Sequence, residues 1–271
     1  MNTSSTQSEQ ILLVHIDGPV ATLTINRPKQ RNCLSEALLI DITNSIRTLV
    51  DDATVKAIVI AANGPAFSSG HDLKELSARR ADEDGGRTYF THIMALCSTM
   101  MLAIVTCPKP VIAKVQGLAT AAGCQLVASC DLAIAADTAQ FATPGVNIGL
   151  FCSTPMVALS RNMSRKQTME MLLMGEMIDA HQAQQWGLIN RAVPEDKLDE
   201  TVDGFTSTLA AKSGQTIAIG KAAFYTQLEM DLESAYDFAS DVMVRNMLAA
   251  DAVEGIGAFL EKRAPIWQDQ K

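Results

Sequence analysis

Two segments hold residue types in an order suited to chemistry on the main chain. They are Ala66-Phe67-Ser68-Ser69-Gly70-His71-Asp72-Leu73 and Gly117-Leu118-Ala119-Thr120-Ala121-Ala122-Gly123-Cys124-Gln125. In each, an extended run delivers small residues into a loop just ahead of a helix signal. Small side chains let a ligand approach the backbone, and a helix start presents unpaired N–H groups beside the positive end of its dipole. Two such starts facing each other would form an oxyanion hole. The same Gly and Ala residues equally suit tight packing, and spacing alone leaves both readings open. Other chemical motifs are missing: the chain has no phosphate-cradling Gly-rich loop ending in Lys-Ser/Thr, no Gly-x-Gly-x-x-Gly, no Gly-x-Ser-x-Gly and no His-Glu-x-x-His. His15, His71, His92 and His181 stand far apart in no metal-ligand motif, so no metal site is expected.

The composition limits what can bind. The 271 residues are 48% apolar and 19% charged, enough for a substantial core and unlike a disordered chain. Twenty-two Lys and Arg against thirty Asp and Glu leave a net charge of −8, so no global positive field exists for nucleic acid or an anionic membrane. An anionic ligand must be met by a local cluster. Cys33, Cys97, Cys107, Cys124, Cys130 and Cys152 form no Cys-x-x-Cys pair and sit mostly in apolar runs. They read as reduced, buried thiols of an intracellular protein, which predicts a cytoplasmic location, with the mitochondrial matrix as the alternative for a eukaryotic chain. Residues 1–10 are polar, without a signal-peptide or transit composition, and read as a frayed terminus.

The elements that must position the two segments follow from periodicity. Residues 11–16 and 20–26 are β-rich runs around Asp17-Gly18-Pro19, a hairpin signal. Ser35 can cap a helix whose apolar positions Leu38, Leu39, Ile42, Ile46 and Leu49 keep the 3.6 period. Residues 56–61 predict a strand, 62–69 a loop, and a helix begins near Asp72. Residues 93–105 read as a buried helix, since polar residues interrupt the longer uncharged stretch around them before it reaches membrane-span length. A buried strand at 111–116, a small-residue helix at 121–130 and a strand at 132–136 follow. The recurring strand, helix, strand order predicts parallel β-structure in an α/β fold. Beyond residue 164 helices dominate, at 165–174, 180–186, 195–211, 216–228, 232–249 and 252–262, with a brief strand at 188–193.

Several motifs taken together resemble the crotonase superfamily, the enoyl-CoA hydratase/isomerase family. The first segment is similar to its Ala-Phe-x-x-Gly-x-Asp-Leu motif, and the second to its Gly-x-Ala-x-Gly-Gly-Gly-Cys-Glu motif. Asn26-Arg27-Pro28-Lys29-Gln30-Arg31-Asn32-Cys33-Leu34-Ser35 resembles an early signature. Gly175 with Ala183 and Gly187-Leu188-Ile189 resembles a later one, and Ala252-Val253-Glu254-Gly255, Ala258-Phe259 and Glu261-Lys262-Arg263 the C-terminal ending. The match covers almost the whole chain in order. It implies a crotonase (ClpP-like) spiral of ββα turns over residues 1–200, and a helical region over 201–271 that covers the site and assembles a homotrimer or a hexamer of two trimers. In that second region Leu232, Tyr236, Ala239, Val242, Met243 and Met247 follow helical spacing.

The resemblance also implies a ligand and a site. An acyl-CoA thioester would be the partner, with coenzyme A as part of the substrate and no permanently bound cofactor, in the lyase or isomerase chemistry of fatty acid metabolism. Its carbonyl oxygen would sit between the amides of His71 and Ala122. Lys29, Arg31, Ser69, Lys74 and Lys262 are the candidates for contacts to coenzyme A, and surface solvation is the competing reading for the charged ones. The chain departs from the pattern at Gln125 and Gly145, where family hydratases carry glutamates. Gln exchanges no proton at neutral pH and Gly has no side chain, so two-glutamate hydration is not expected. Restoring both glutamates would be expected to raise it. Cys152-Ser153-Thr154-Pro155-Met156 replaces the family's Pro-Gly-x-Gly-Gly loop, which makes Cys152, Ser153, Thr154 and His71 the candidate substitutes. A non-catalytic acyl-CoA binder, and thioester hydrolysis or decarboxylation, are the rival readings.

Overall fold

Alternation in Val20–Ile25 buries Ala21, Leu23 and Ile25 completely. That strand lies near one edge of the larger of two sheets in the computed structural model, which describes residues 10–268. Residues 1–9, most of the terminus expected to be frayed, lie outside the described residues. The strands are β1 (Leu12–Asp17), β2 (Val20–Ile25), β3 (Ala57–Ala62), β4 (Ala66–Ser68), β5 (Val111–Val115), β6 (Leu118–Thr120), β7 (Leu132–Ala136), β8 (Gln140–Ala142), β9 (Ile178–Asp179) and β10 (Arg191–Val193). The six-stranded sheet runs β1-β2-β3-β5-β7-β10 and the four-stranded sheet β4-β6-β8-β9. β1 and β2 form the expected antiparallel hairpin, and β2, β3, β5, β7 and β10 pair parallel.

Between the strands and after them lie α1 (Glu36–Asp51), α2 (Leu73–Ala78), α3 (Arg87–Thr106), α4 (Ala122–Ser129), α5 (Pro155–Asn162), α6 (Arg165–Met174), α7 (Ala180–Trp186), α8 (Leu198–Ala210), α9 (Gly214–Gln227), α10 (Leu232–Met247) and α11 (Ala250–Leu260). Each of β3-β4, β5-β6 and β7-β8 gives one strand to each sheet and then enters a helix. This is the spiral of ββα turns. The corner between β5 and β6 requires glycine: a Cβ on Gly117 would lie 2.2 Å from the Pro65 carbonyl oxygen. The expected 62–69 loop contains β4, and β6, β8, β9 and α5 were likewise not foreseen. Strands of two or three residues carry no readable period.

The central strands of the larger sheet, β3, β5 and β7, are buried on both faces by simple alternation. Ile58 and Ile60, Val111 and Ala113, Ala133 and Ala135 join the main core with Leu38, Leu39, Ile42 and Ile46 of α1. Val59, Ile112, Ile134 and Ala136 face the other way onto Leu198 and Val202 of α8. Ser35 caps α1 as expected, its hydroxyl accepting from the Leu38 amide at 3.3 Å. The expectation of a buried helix at 93–105 needs correcting. α3 buries only the stripe Ile93, Cys97, Met100, Met101 and Ile104, while Leu102 is exposed. By length and composition α3 would also suit a membrane span, contrary to expectation, but this amphipathic stripe packs into the protein core.

One part-buried ion pair ties the helical region to the spiral. Lys221 of α9 places Nζ 2.6 Å from Asp131 Oδ2, and donates to the carbonyls of Ile104 at 3.0 Å and Lys109 at 3.1 Å. Asp131 also accepts from Tyr225 Oη at 3.0 Å and the Val111 amide at 2.7 Å. The lysine thus neutralises the carboxylate and the C-terminal end of α3 together. Removing one partner of such a pair leaves an uncompensated buried charge, so Lys221→Ala should destabilise the fold by about 3–5 kcal/mol in urea denaturation. A loss below about 1 kcal/mol would show that Lys221 is not an anchor.

Candidate active site

The two small-residue segments meet main chain to main chain. Gly70 follows β4 with φ +87°, and a Cβ there would lie 2.9 Å from the Ala121 Cβ and 3.2 Å from the Ala122 nitrogen. Gly123 packs tighter still, its Cβ position 2.2 Å from the Ser68 carbonyl oxygen. No side chain separates the turns. Between β6 and α4, Ala121 adopts φ 50°, ψ −120°, a region that non-glycine residues occupy only under constraint. Its amide donates to Ala142 of β8 at 2.9 Å and its carbonyl accepts from Gln125 at 3.0 Å. Ala122, the first residue of α4, therefore starts the helix with an amide that has no intrahelical acceptor.

His71 presents its amide in the same way. Leu34 bridges it in parallel, donating to Gly70 at 2.7 Å and accepting from Asp72 at 3.2 Å. Those bonds flank His71 and leave its own N–H free. Among the described residues no acceptor meets the amide of either His71 or Ala122.

A polar network behind the turn holds it in place. Asn32 is fully buried at φ 53°, donating to Asn63 at 2.8 Å and Ala66 at 2.6 Å and accepting from the Arg27 amide at 2.8 Å. Arg27 donates to the Cys33 carbonyl at 2.6 Å and pairs with Asp72 Oδ2 at 3.2 Å. The Cys33 thiol donates to the same carboxylate at 3.2 Å. Burial, then that bond, pushes the thiol up to about 11, which keeps it a donor. Burial alone would raise Asp72, but the bonds from Cys33, Arg27 and the amides of Lys74 and Glu75 outweigh it and hold the carboxyl below its usual range. Asp72 is the N-cap of α2, as its place ahead of the helix suggested. The link from Arg27 and Cys33 was missed, because nothing in the spacing pairs residues 27, 33 and 72.

The same seam organises part of the predicted binding set. Ser69 donates its amide to Arg31 at 3.0 Å, so the loop carrying Lys29 and Arg31 is stitched to the turn carrying Ser69, His71 and Lys74. Lys29, Arg31 and Lys74 are exposed there. Lys262 stands just past α11 at φ 56°, with its amide bonded back to Phe259, and no hydrogen bond joins it to the others among the described residues.

The remaining candidates divide. Both ring nitrogens of His71 are buried without a hydrogen-bond partner. Burial lowers the pKa of the ring below its ordinary value, against a smaller opposing effect of the Leu34 carbonyl, so the ring is neutral at pH 7. Gln125 is 5% exposed and its Oε1 has no partner. Gln125 stands one turn into α4, its amide donating to the Ala121 carbonyl. Gly145 lies in the 3-10 turn Pro144–Ile148, where a Cβ would come 2.6 Å from the Leu150 carbonyl oxygen and 2.9 Å from Cys152 Sγ. The space a side chain would need at this position is filled. Ser153 is exposed, with its hydroxyl turned back to Phe151 at 3.3 Å, and Thr154 makes no capping bond to α5. Burial raises the Cys152 thiol, which keeps it protonated.

Glycine contacts this close can be tested by adding one methyl group. Gly123→Ala should cost about 3 kcal/mol or more in urea denaturation, since a backbone carbonyl must move. Gly204→Ala, in α8 with open space around it, should instead stabilise by up to about 1 kcal/mol. Equal, small effects would contradict the close approach of the turns.

Comparison with known proteins agrees with this architecture. Residues 15–270 match the family model for enoyl-CoA hydratase/isomerase. The enoyl-CoA hydratase domain-containing protein 3, mitochondrial, of Rattus norvegicus is 48% identical over 248 residues, 92% of this chain and 81% of the relative. The crystal structure of an enoyl-CoA hydratase from Mycobacterium smegmatis superposes with a TM-score of 0.91 at 50% identity, covering 96% of this chain and 99% of that one. That of human enoyl-CoA hydratase domain-containing protein 3 gives 0.91 at 47% identity, over 95% and 100%. With its spiral, its motifs and these matches in agreement, the chain belongs to the enoyl-CoA hydratase/isomerase family.

Proposed function

We propose that this protein binds an acyl-CoA thioester where the two turns touch and stabilises its enolate through the amides of His71 and Ala122. The observation that carries the reading is the pair of unpartnered N–H groups on backbones in contact at Gly70 and Ala122. Charge that develops on a thioester oxygen is the kind of charge two preorganised donors stabilise, and losing one such donor costs about 3 kcal/mol of barrier in other enzymes. Lys29, Arg31 and Lys74 on the adjoining seam would meet the phosphates of coenzyme A, with Ser69 beside them and Lys262 brought in from the helical region. The vertebrate relatives are named as mitochondrial, which favours the mitochondrial matrix over the cytoplasm as the location.

Hydration by paired glutamates is not part of this reading. Gln125 and Gly145 stand at the family's glutamate positions, and the filled space at Gly145 favours, as a second reading, an acyl-CoA binder without turnover. Calorimetry with acetoacetyl-CoA should show saturable binding that weakens as salt rises, and hydration of crotonyl-CoA should be absent or far below that of a two-glutamate relative. No binding at millimolar ligand by folded protein would overturn the binding site, and brisk hydration would overturn the reading of the missing acids.

Assembly belongs to the same proposal. Leu232 (75% exposed), Tyr236 (70%), Met243 and Met247 lie open on α10, and Phe259 (80%) and Leu260 on α11. Val242 is half-buried, in a groove with Ile219 and Ala222 of α9. A face this apolar is covered when subunits pack. Light scattering at micromolar concentration should give a trimer or a hexamer, and a strict monomer would contradict this assembly.

A further inference from the structure

This inference rests on the site proposed above and concerns which group moves a proton there. Buried polar atoms without a partner are rare in folded proteins, and each costs about 1–3 kcal/mol unless something bonds it. Among the described residues, His71 has both of its ring nitrogens in that state. Its amide is also unpaired. His71 thus combines a free backbone donor with a ring that makes no hydrogen bond, although the Leu34 carbonyl acts on it, on a turn in contact with a second free amide. The Oε1 of Gln125, in the first turn of α4, is likewise buried without a partner.

The carboxylates around the turn are occupied. Asp72 accepts from Arg27, Cys33 and the first amides of α2. Glu75 accepts from the Glu36 amide at 3.0 Å. Glu36 Oε1 in turn lies 3.0 Å from His92 Nε2. The thiols of Cys33, Cys124 and Cys152 are held in their protonated form by burial. Gln125 carries no exchangeable acid. The neutral imidazole of His71 keeps one lone pair for a proton and one N–H to donate.

We propose that the His71 imidazole is the proton-transfer group of this site and takes the α-proton of a bound acyl thioester. The Cα–H bond breaks and its proton goes to the basic ring nitrogen. The bonding pair forms the enolate C=C, and the carbonyl pair moves onto the oxygen held by the amides of His71 and Ala122. Return of the proton from the imidazolium regenerates the thioester, so the step balances without a co-reactant. His71 then supplies the oxyanion donor from its backbone and the base from its side chain.

Exchange of the α-protons of butyryl-CoA in D2O, followed by proton NMR, reads this step alone, because a saturated chain can be neither hydrated nor isomerised. Wild-type protein should exchange them faster than free solution. His71→Gln keeps the backbone amide and removes the base, so exchange should fall about 100-fold or more while calorimetric affinity for butyryl-CoA stays within about threefold. His71→Ala should lose exchange likewise and recover part of it with added imidazole. Wild-type binding without exchange, or His71→Gln exchanging at the wild-type rate, would overturn the role of His71 and leave the binding site standing. Failure of wild-type protein to bind butyryl-CoA would overturn the proposed site, and this inference with it.

Discussion

Backbone contact between two successive turns of the spiral is the constraint on which the rest of this structure depends. The main chain at Gly70 lies against Ala121 and Ala122, and that at Ser68 lies against Gly123, with no room for a Cβ on either glycine. Parallel pairing of β4 with β6 and of β6 with β8 brings the strand ends level, and the glycines let the exits collapse onto each other. The strained backbone of Ala121 follows from this, because the chain must leave β6 and enter α4 within one residue. Two amides at the contact are left without acceptors. The fold therefore creates donors at this point as a by-product of its closest packing.

Most of the surrounding polar order supports that contact. Asn32 bonds the carbonyls on either side of Gly64 and Pro65, at Asn63 and Ala66, and Arg27 and Cys33 bond Asp72. The early loop is thereby tied to both sides of β4. The arrangement is economical in charge, since one guanidinium and one carboxylate neutralise each other beside the turn and the thiol stays protonated. On the two turns, the ring nitrogens of His71 and the Oε1 of Gln125 are buried without hydrogen-bond partners. An anionic intermediate forming there would meet no fixed negative charge from the turn itself, because Asp72 is already matched.

Much of the fold was legible because its long elements bury one face at a regular period. The α1 positions 38, 39, 42, 46 and 49 were read from spacing and are all buried. The parallel sheet followed from strand, helix, strand recurrence. The four-stranded sheet was not legible, because three-residue strands such as β4 and β6 are set by parallel partners and by a glycine corner rather than by their own residues. At the site, the two turns stood out through small residues before helix starts. That they touch, and that Arg27, Cys33 and Asp72 converge, depends on contacts between residues 39 to 55 positions apart, which local pattern cannot encode. Ser153 looked eligible by position, but the loop bends its hydroxyl back to Phe151.

Gly145 and Gln125, the two positions where the resemblance would place glutamates, differ in kind. A position that merely lacks a carboxylate would leave a void where the side chain had been, and substitution could refill it. Here the Leu150 carbonyl and the Cys152 sulfur occupy that volume, and the loop is closed by the Leu150 amide bonding to the Gly145 carbonyl at 2.9 Å. Gln125 differs, since Glu has nearly the same shape and the Oε1 there already lacks a partner. The two departures are thus unequal: the first is a change of loop, the second a change of one atom. The loop around Gly145 leaves the contact at Gly70, Ala121 and Ala122 untouched, so the two free amides do not depend on it.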